Sequence, residues 1–181
     1  MDRRIKRTRT AIFNAVMEMI VEKDANKITV LELCKRADIN KSTFYLHYKS
    51  LDDCLQSCFK MITDGIFEMS KHINYYEIAS NPKPAIDLML NEVEKSLDYL
   101  NKFKNSSICG PSIKMLKEKL VSCISQNSGF TTEENYYEIA NISYTVGGAT
   151  DAVMYQLPEF NKEILSKTIC SMIKNGNIMV I

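Results

Sequence analysis

Twenty-eight residues near the N-terminus, ITVLELCKRADINKSTFYLHYKSLDDCL from Ile28 to Leu55, leave this chain few folds to choose from. Thr29 and Glu32 have the spacing of a capping box, in which the threonine oxygen accepts a backbone N–H from the first helical turn and the glutamate reaches back. Ile28 before the cap and Leu33 after it are placed as a hydrophobic staple. A helix is therefore expected from about Val30 to about Ala37. Its apolar residues Val30, Leu33, Cys34 and Ala37 recur at three- and four-residue steps, so one face packs inward while Glu32, Lys35 and Arg36 point elsewhere. Asp38 tolerates a left-handed backbone and Asn40 is a strong N-cap residue, so Asp38-Ile39-Asn40 reads as a turn. A second helix should then run from about Lys41 to His47. Phe44 and Tyr48 face inward in this reading, and Lys41, Ser42, Thr43, Tyr45 and His47 remain outside.

Two short helices, a tight turn and a polar outer face form the pattern of a helix-turn-helix that reads DNA. Lys41 and Ser42 sit in the first turn of the second helix, the part that enters a major groove. There lysine donates to guanine O6 and N7, and serine reaches several base edges. Thr43, Tyr45, His47 and Lys49 carry donors suited to phosphate oxygens, which set register and affinity. An ordinary solvated surface helix is written with the same residue types, and this segment alone does not separate the two.

Charge distribution favours the first reading. Residues 1–49 hold 11 Lys and Arg against 6 Asp and Glu, whereas residues 50–181 hold 12 against 16. The basic excess lies wholly beside the helix pair. Arg3, Arg4, Lys6, Arg7 and Arg9 precede or open a first helix whose apolar residues Ile12, Val16, Met19 and Ile20 suit packing against the pair. A basic helix start beside a recognition helix would clasp phosphates and bind less tightly as salt rises. A solubilising tail is the plainer alternative.

On these residues, roughly the first third of the chain resembles the TetR family of bacterial transcriptional regulators. The segment DINKSTFYLHYKSLDDCL looks like that family's turn, recognition helix and start of helix four, most specifically in Phe44, Tyr45, His47 and Tyr48. The resemblance implies an all-α fold: a three-helix DNA-binding domain over residues 1–49, then a helical ligand-binding and dimerisation domain over 50–181. It also implies a homodimeric repressor that leaves a palindromic double-stranded operator when a small-molecule effector binds. Lys41, Ser42 and Tyr45 would contact bases or adjacent backbone, and Thr29, Thr43, His47 and Lys49 phosphates, with Arg3 and Arg4 adding to the basic clasp. Two departures from the family pattern stand out. Asp38 replaces a usual glycine, a modest cost because aspartate accepts the strained backbone. Leu51 replaces a common lysine and removes one phosphate contact, leaving more of that role to Lys49.

Beyond Leu55 the apolar spacing is helical throughout, with no internal repeat. A fourth helix is expected from Ser50 through Leu55, Phe59, Ile62, Ile66 and Met69, with Asp52 and Asp53 favourable in its first turn. Asn81-Pro82-Lys83-Pro84 breaks the pattern, and a helix should follow from Pro84 to Phe103. After a loop from Asn105 to Pro111, another is expected over Ser112–Ile124. Thr131 and Glu134 repeat the capping-box spacing, predicting a long helix from about Thr132 to Gln156 that Pro158 ends. A last helix covers Phe160 to Lys174.

The last two helices are expected to dimerise, through Tyr137, Ala140, Tyr144, Gly147 and Asp151 on one and Ile164, Thr168, Ile169 and Met172 on the other. Gly147-Gly148 leaves a low spot that admits a second helix, a kink or a ligand. Ten methionines, nine tyrosines and seven phenylalanines suit a pocket for a hydrophobic or aromatic molecule, and suit an ordinary core equally well. Phe59, Ile62, Phe67, Met89, Tyr99, Tyr144 and Met154 are candidate lining residues because the family's pocket lies among the corresponding helices.

Other classes find little support. No Ser-His-Asp order, metal-ligand cluster or glycine-rich phosphate loop is visible, and His47 and His72 are the two histidines, so neither an enzyme nor a cofactor or metal is expected. Six scattered cysteines without CxxC spacing argue against zinc and against a disulfide framework. Cys54 and Cys58, one helical turn apart, read as small core residues in preference to a thiol sensor. No apolar run approaches the ~20 residues that cross a bilayer, and the N-terminus lacks the apolar segment of a secretory signal, so no membrane partner and a cytoplasmic location are expected. The alternative to a ligand-responsive repressor is an adaptor or coregulator of the same architecture whose C-terminal domain answers to a protein partner.

Overall fold

The computed structural model describes residues 3–178, and among them every regular element is helical. The α-helices are α1 (Arg3–Glu22), α2 (Val30–Arg36), α3 (Lys41–His47), α4 (Leu51–Ser70), α5 (Tyr75–Ser80), α6 (Lys83–Lys95), α7 (Leu97–Lys104), α8 (Cys109–Asn127), α9 (Tyr136–Gln156) and α10 (Lys162–Ile178). Two single 3₁₀ turns, Ala25–Lys27 and Leu157–Glu159, join α1 to α2 and follow α9.

The chain divides into two compact units. One comprises Met1–Ile62 with Asp98–Ser112, the other Thr63–Leu97 with Ile113–Ile181. Residues of α4 fall in both. The first unit thus extends past residue 49 to take in α4 as far as Ile62, α7 from Asp98 onward and the first residues of α8. Its buried side chains come from α1 (Ile12, Val16, Met19), α2 (Leu33, Cys34), α3 (Phe44), α4 (Leu55, Cys58, Phe59) and α7 (Leu100, Phe103). Phe59 and Phe103 meet edge to face, 5.7 Å between ring centroids. Full burial of each such side chain contributes roughly 1.5–3 kcal/mol. Cys54 and Cys58 lie fully buried, and the Cys58 hydrogen bond together with burial pushes the Cys54 thiol up, away from the reactive thiolate.

In the second unit Ile86 and Leu90 of α6 pack against Leu165, Ile169 and Ile173 of α10. A smaller cluster joins Ile73, Ile124 of α8 and Ile142 of α9. Gly148 lies beneath Met172: a Cβ there would stand 3.3 Å from the methionine sulfur, so the low spot on α9 is filled by α10 of the same chain. Gly147 has open space around it.

Several boundaries differ from expectation. The helix expected from Pro84 to Phe103 is two helices, broken at Ser96, whose N–H turns back to the Val93 carbonyl at 2.9 Å. Apolar periodicity continues across the break, but Val93 is buried in the second unit and Leu100 and Phe103 in the first. The loop expected from Asn105 to Pro111 ends sooner, because α8 begins at Cys109 and holds Pro111 in its first turn, where no N–H is needed. The helix expected from Thr132 starts at Tyr136. Glu134 N–H does donate to Thr131 Oγ1 (3.4 Å), but the reciprocal bond comes from Asn135, whose Oδ1 accepts from Thr131 N–H at 3.2 Å, and this closes a turn. Helix α5 was not anticipated; Asn74 caps it by accepting from Tyr76 N–H. The last helix starts at Lys162, capped by Asn161 Oδ1 accepting from Ile164 N–H.

Candidate nucleic-acid interface

Local chemistry builds the α2–α3 pair as its spacing predicts. Thr29 Oγ1 accepts from Glu32 N–H, Glu32 accepts from Thr29 N–H at 3.0 Å, and the capping box is complete. Lys23 donates to the same glutamate at 2.8 Å. That hydrogen bond, with those from Thr29, lowers the Glu32 carboxyl to about 2. Arg36 reaches from the last turn of α2 to both carboxylate oxygens of Glu22 on α1, each at 2.8 Å, and to Glu18 at 3.3 Å. These contacts fix α2 on α1.

Between α2 and α3, Asp38 adopts φ +53°, the left-handed conformation a tight turn requires. The Ile39 N–H bonds back to the Cys34 carbonyl at 3.0 Å. Asn40 occupies the N-cap position of α3 in extended conformation, although its side chain makes no capping bond. Ser50 caps α4 by accepting from Asp53 N–H, and Asp53 accepts from Lys49 N–H at 2.8 Å. The α3 helix is therefore held at both ends by its neighbours' caps.

Phe44 is fully buried and Tyr48 is 3% exposed. Their burial turns the opposite face of α3 to solvent. Lys41, Ser42 and Tyr45 are exposed, Thr43 and His47 half-buried beside them, and Lys49 exposed just beyond. Thr29 is exposed at the start of α2, its hydroxyl already engaged with Glu32. One exposed residue of α3 was missed by the sequence reading: Leu46 stands 82% exposed. Its signal was available, because Leu46 is two residues from Phe44 and so nearly opposite it on a helix of 3.6 residues per turn.

Arg3, Arg4, Lys6 and Arg7 are exposed at the start of α1, which has no acidic residue in its first turn. Cations there oppose the helix dipole, at about 0.3–1 kcal/mol each at low ionic strength. A run of cations kept against that cost suits a surface that faces an external polyanion. Arg9 is used differently: its guanidinium lies over the Tyr48 ring at 5.8 Å and braces the end of α3.

Candidate ligand and dimer residues scatter more widely. The second unit holds an almost wholly apolar cavity of about 90 Å³, lined by Ile73, Ile78, Ile86, Met89, Ile142 and Val146 among others, with Tyr75, Asn141, Thr145 and Thr150 as its polar residues. Asn141 Nδ2 donates to the Tyr75 hydroxyl at 3.1 Å. Of the seven residues named for a pocket, Met89 lines this cavity. Phe59 and Ile62 are buried in the first unit, Tyr99 meets Phe13 edge to face there, and Tyr144 is 68% exposed; Phe67 and Met154 are half-buried away from the cavity. Along α9, Tyr137, Ala140, Tyr144 and Asp151 are exposed and Gly147 half-buried, with Asp151 paired to Lys117. On α10, Ile164 is exposed, Thr168 and Met172 are half-buried, and Ile169 is buried in the core, which leaves it little surface for a partner. Among the described residues no group of His, Cys, Asp or Glu is placed to hold a metal, and no helix is long and apolar enough to cross a membrane.

Residues 12–58 match the sequence model of the bacterial regulatory proteins of the tetR family. An HTH-type transcriptional regulator of Bacillus subtilis (strain 168), YxbF, is 35% identical over 100 residues, which is 55% of this chain and 24% of that protein. The chain thus aligns with about a quarter of that relative's length. Among solved structures, the dihydroxyacetone kinase operon activator DhaS superposes with a TM-score of 0.59 at 13% identity, covering 96% of both chains. A tetR-family regulator from Streptomyces coelicolor gives 0.59 at 7% identity, over 96% of this chain and 80% of its own. A TetR regulator from Rhodococcus sp. RHA1 gives 0.56 at 12% identity, over 97% of this chain and 98% of its own. These structures share the all-helical fold. The capped α1–α3 head and the match over residues 12–58 agree: this part of the chain is a helix-turn-helix DNA-binding segment of the tetR family's type, within an all-helical fold that TetR-family regulators share.

Proposed function

We propose that this regulator is a homodimeric repressor that binds a palindromic operator through two α3 helices and leaves it when a small hydrophobic or aromatic molecule enters the second unit. The observation that carries the DNA half of this reading is the outward face of α3, where Lys41, Ser42 and Tyr45 are exposed opposite a fully buried Phe44. Lys41 and Ser42 read base edges at the start of the helix. Tyr45 contacts a base or adjacent backbone, and Thr29, Thr43, His47, Lys49, Arg3 and Arg4 hold phosphates. Residues 1–49 are the DNA-binding part and 50–181 the regulatory and dimerising part, with α7 supporting the head from inside the first compact unit.

The apolar cavity supports the ligand half. At about 90 Å³ it is well below the roughly 300 Å³ of a typical ligand pocket, so a molecule larger than a few atoms enters only if α5, α6, α8, α9 and α10 part around it. A ligand that binds the parted arrangement better than the closed one shifts the population toward it. Because α4 contributes residues to both units, it is one covalent route, beside the crossings in α7 and α8, by which that shift reaches the head. Exposed Tyr137 and Tyr144 on α9 and Ile164 on α10 support a second subunit against this face. An adaptor that answers to a protein partner would use the same surface. A cytoplasmic location follows from a chromosomal operator.

Selection of bound sequences from random duplexes, followed by sedimentation of the complex, tests the proposal. Enrichment of an inverted repeat with half-site centres about one helical turn apart, ~34 Å, and a complex of two chains per site are the expected results. Enrichment of an asymmetric site by a monomer would overturn it. Titration of indole against the preformed complex tests release, and unchanged binding at saturating aromatic ligand favours the adaptor.

A further inference from the structure

We propose that Leu46 is a specificity-determining residue that reads thymine C5-methyl groups in the major groove. The proposal rests on the assignment of α3 as the recognition helix and extends it to a residue with no polar group.

Ser42 and Leu46 lie two residues either side of Phe44, so each stands about 160° around the helix from the buried ring. They are one turn apart and form the outermost line of α3. Lys41 and Tyr45 flank this line on one side, half-buried Thr43 and His47 on the other. Any approach that brings Ser42 to a base edge therefore brings Leu46 into the groove one turn further along. At 82% exposure it is the second most exposed large apolar side chain, after Tyr155, among the described residues.

An isobutyl group has no donor or acceptor, so it cannot distinguish bases by hydrogen bonding. The apolar feature of a base-pair edge in the major groove is the thymine methyl, and contact with it is the recognised apolar mode of readout. The exposed cations of the same unit, namely Lys41, Lys49 and those at the α1 start, match a polyanion, which argues for duplex DNA over an apolar protein surface as the occupant of this face. Ser42 would then set the polar part of the code and Leu46 a thymine preference beside it.

Single uracil-for-thymine replacements in the selected duplex remove the methyl and leave every hydrogen-bonding group in place. For the wild-type protein, affinity should fall about fourfold at one symmetric position in each half-site, the equivalent of ~0.8 kcal/mol for one lost methylene contact. Leu46→Ala should bind the thymine duplex about fourfold less tightly and respond equally to thymine and uracil, with an unchanged salt slope. Its exposure makes this substitution harmless to folding, which a thermal melt verifies. If the wild type binds every uracil duplex as tightly as the parent, or Leu46→Ala keeps the methyl dependence, Leu46 does not read thymine. If instead the protein binds no duplex at low salt, the recognition-helix assignment itself fails, a separate result.

Discussion

The Arg36 guanidinium on α2 holds the Glu22 carboxylate on α1 through two parallel hydrogen bonds of 2.8 Å. This bidentate pair, with Glu18 at 3.3 Å, removes Arg36 from the cationic surface that a residue count assigns to the head. Both partners remain solvated, so the pair contributes as a surface bridge of favourable bidentate geometry. Arg36→Ala should lower the melting temperature by about 2–4 °C and leave the salt dependence of DNA binding unchanged. A reduced salt slope would place Arg36 on the DNA instead.

Asp38 holds φ +53°, a conformation costing an ordinary L-residue roughly 1–2 kcal/mol and glycine almost nothing. Asp38→Gly should raise stability by up to about 1 kcal/mol, offset in part by the freer unfolded chain. Asp38→Val should lower it by about 1–2 kcal/mol, since a β-branched side chain fits this region worst. Urea melts of the two variants check the order, and the reverse order would contradict the turn geometry.

Asp38 also shows why the head was so legible in the sequence. The capping box at Thr29 and Glu32, the left-handed turn and the bounds of α2 and α3 depend on groups within a few residues of one another. Spacing therefore encodes them directly. Legibility fails where distant groups decide. Nothing local marks Ser96 as a break, because the periodicity of Val93, Leu97 and Leu100 is unbroken and the split reflects which unit buries each residue. Thr131 and Glu134 repeat the head's pattern, yet Asn135 completes the reciprocal bond and a turn results. Candidate pocket residues fared worst: Phe59 and Tyr99 satisfy helical periodicity, which identifies an inward face without identifying which interior. Leu46 escaped notice for the converse reason, since an apolar residue in a helix reads as core unless its angle from Phe44 is followed.

Glu32 links the α2 cap to pH. Lys23 and Thr29 hold its carboxyl at about 2, below the ordinary 4.5, so the folded head prefers the ionised form. A depressed carboxylate stabilises fully above its unfolded value, and that stabilisation is lost as pH falls from 4.5 toward 2. Glu22, lowered by its Arg36 hydrogen bond, titrates in the same direction. Glu32→Gln should therefore flatten part of the fall in melting temperature between about pH 5 and pH 2, leaving the share due to Glu22. Melts followed by circular dichroism over that range measure it, and parallel curves for the two proteins would show that Glu32 carries no such coupling.

Phe103 tests whether α7 belongs to the head's interior. It is fully buried against Phe59, and truncation to alanine should cost about 3–5 kcal/mol through lost burial and the cavity left behind. Phe103→Leu, which keeps most of the volume, should cost much less. Hydrogen exchange in Phe103→Ala should rise in α4 and α1. Protection retained there, with loss confined to α7, would show that the segment is dispensable to the first unit.

The cations of the interface divide into two kinds with different thermodynamic signatures. Lys49 and Arg3 are exposed, and the proposed function gives them phosphates, so each should contribute affinity independent of sequence. Removal of either, as Lys49→Ala or Arg3→Gln, should weaken binding to all duplexes alike and reduce the slope of log K against log salt by about 0.9. Arg3→Gln should also leave α1 equally or more stable, because the cation it removes opposes the helix dipole. Lys41 is exposed in the first turn of α3, where the proposed function sets it at base edges. Lys41→Ala should cost about 1–3 kcal/mol on the selected site, much less on random DNA, and relax preference at one position per half-site. Titrations of the three variants on selected and random duplexes at several salt concentrations separate the two kinds. Equal losses on both duplexes for Lys41→Ala would move it among the phosphate contacts and leave Ser42, Tyr45 and Leu46 to carry the sequence preference.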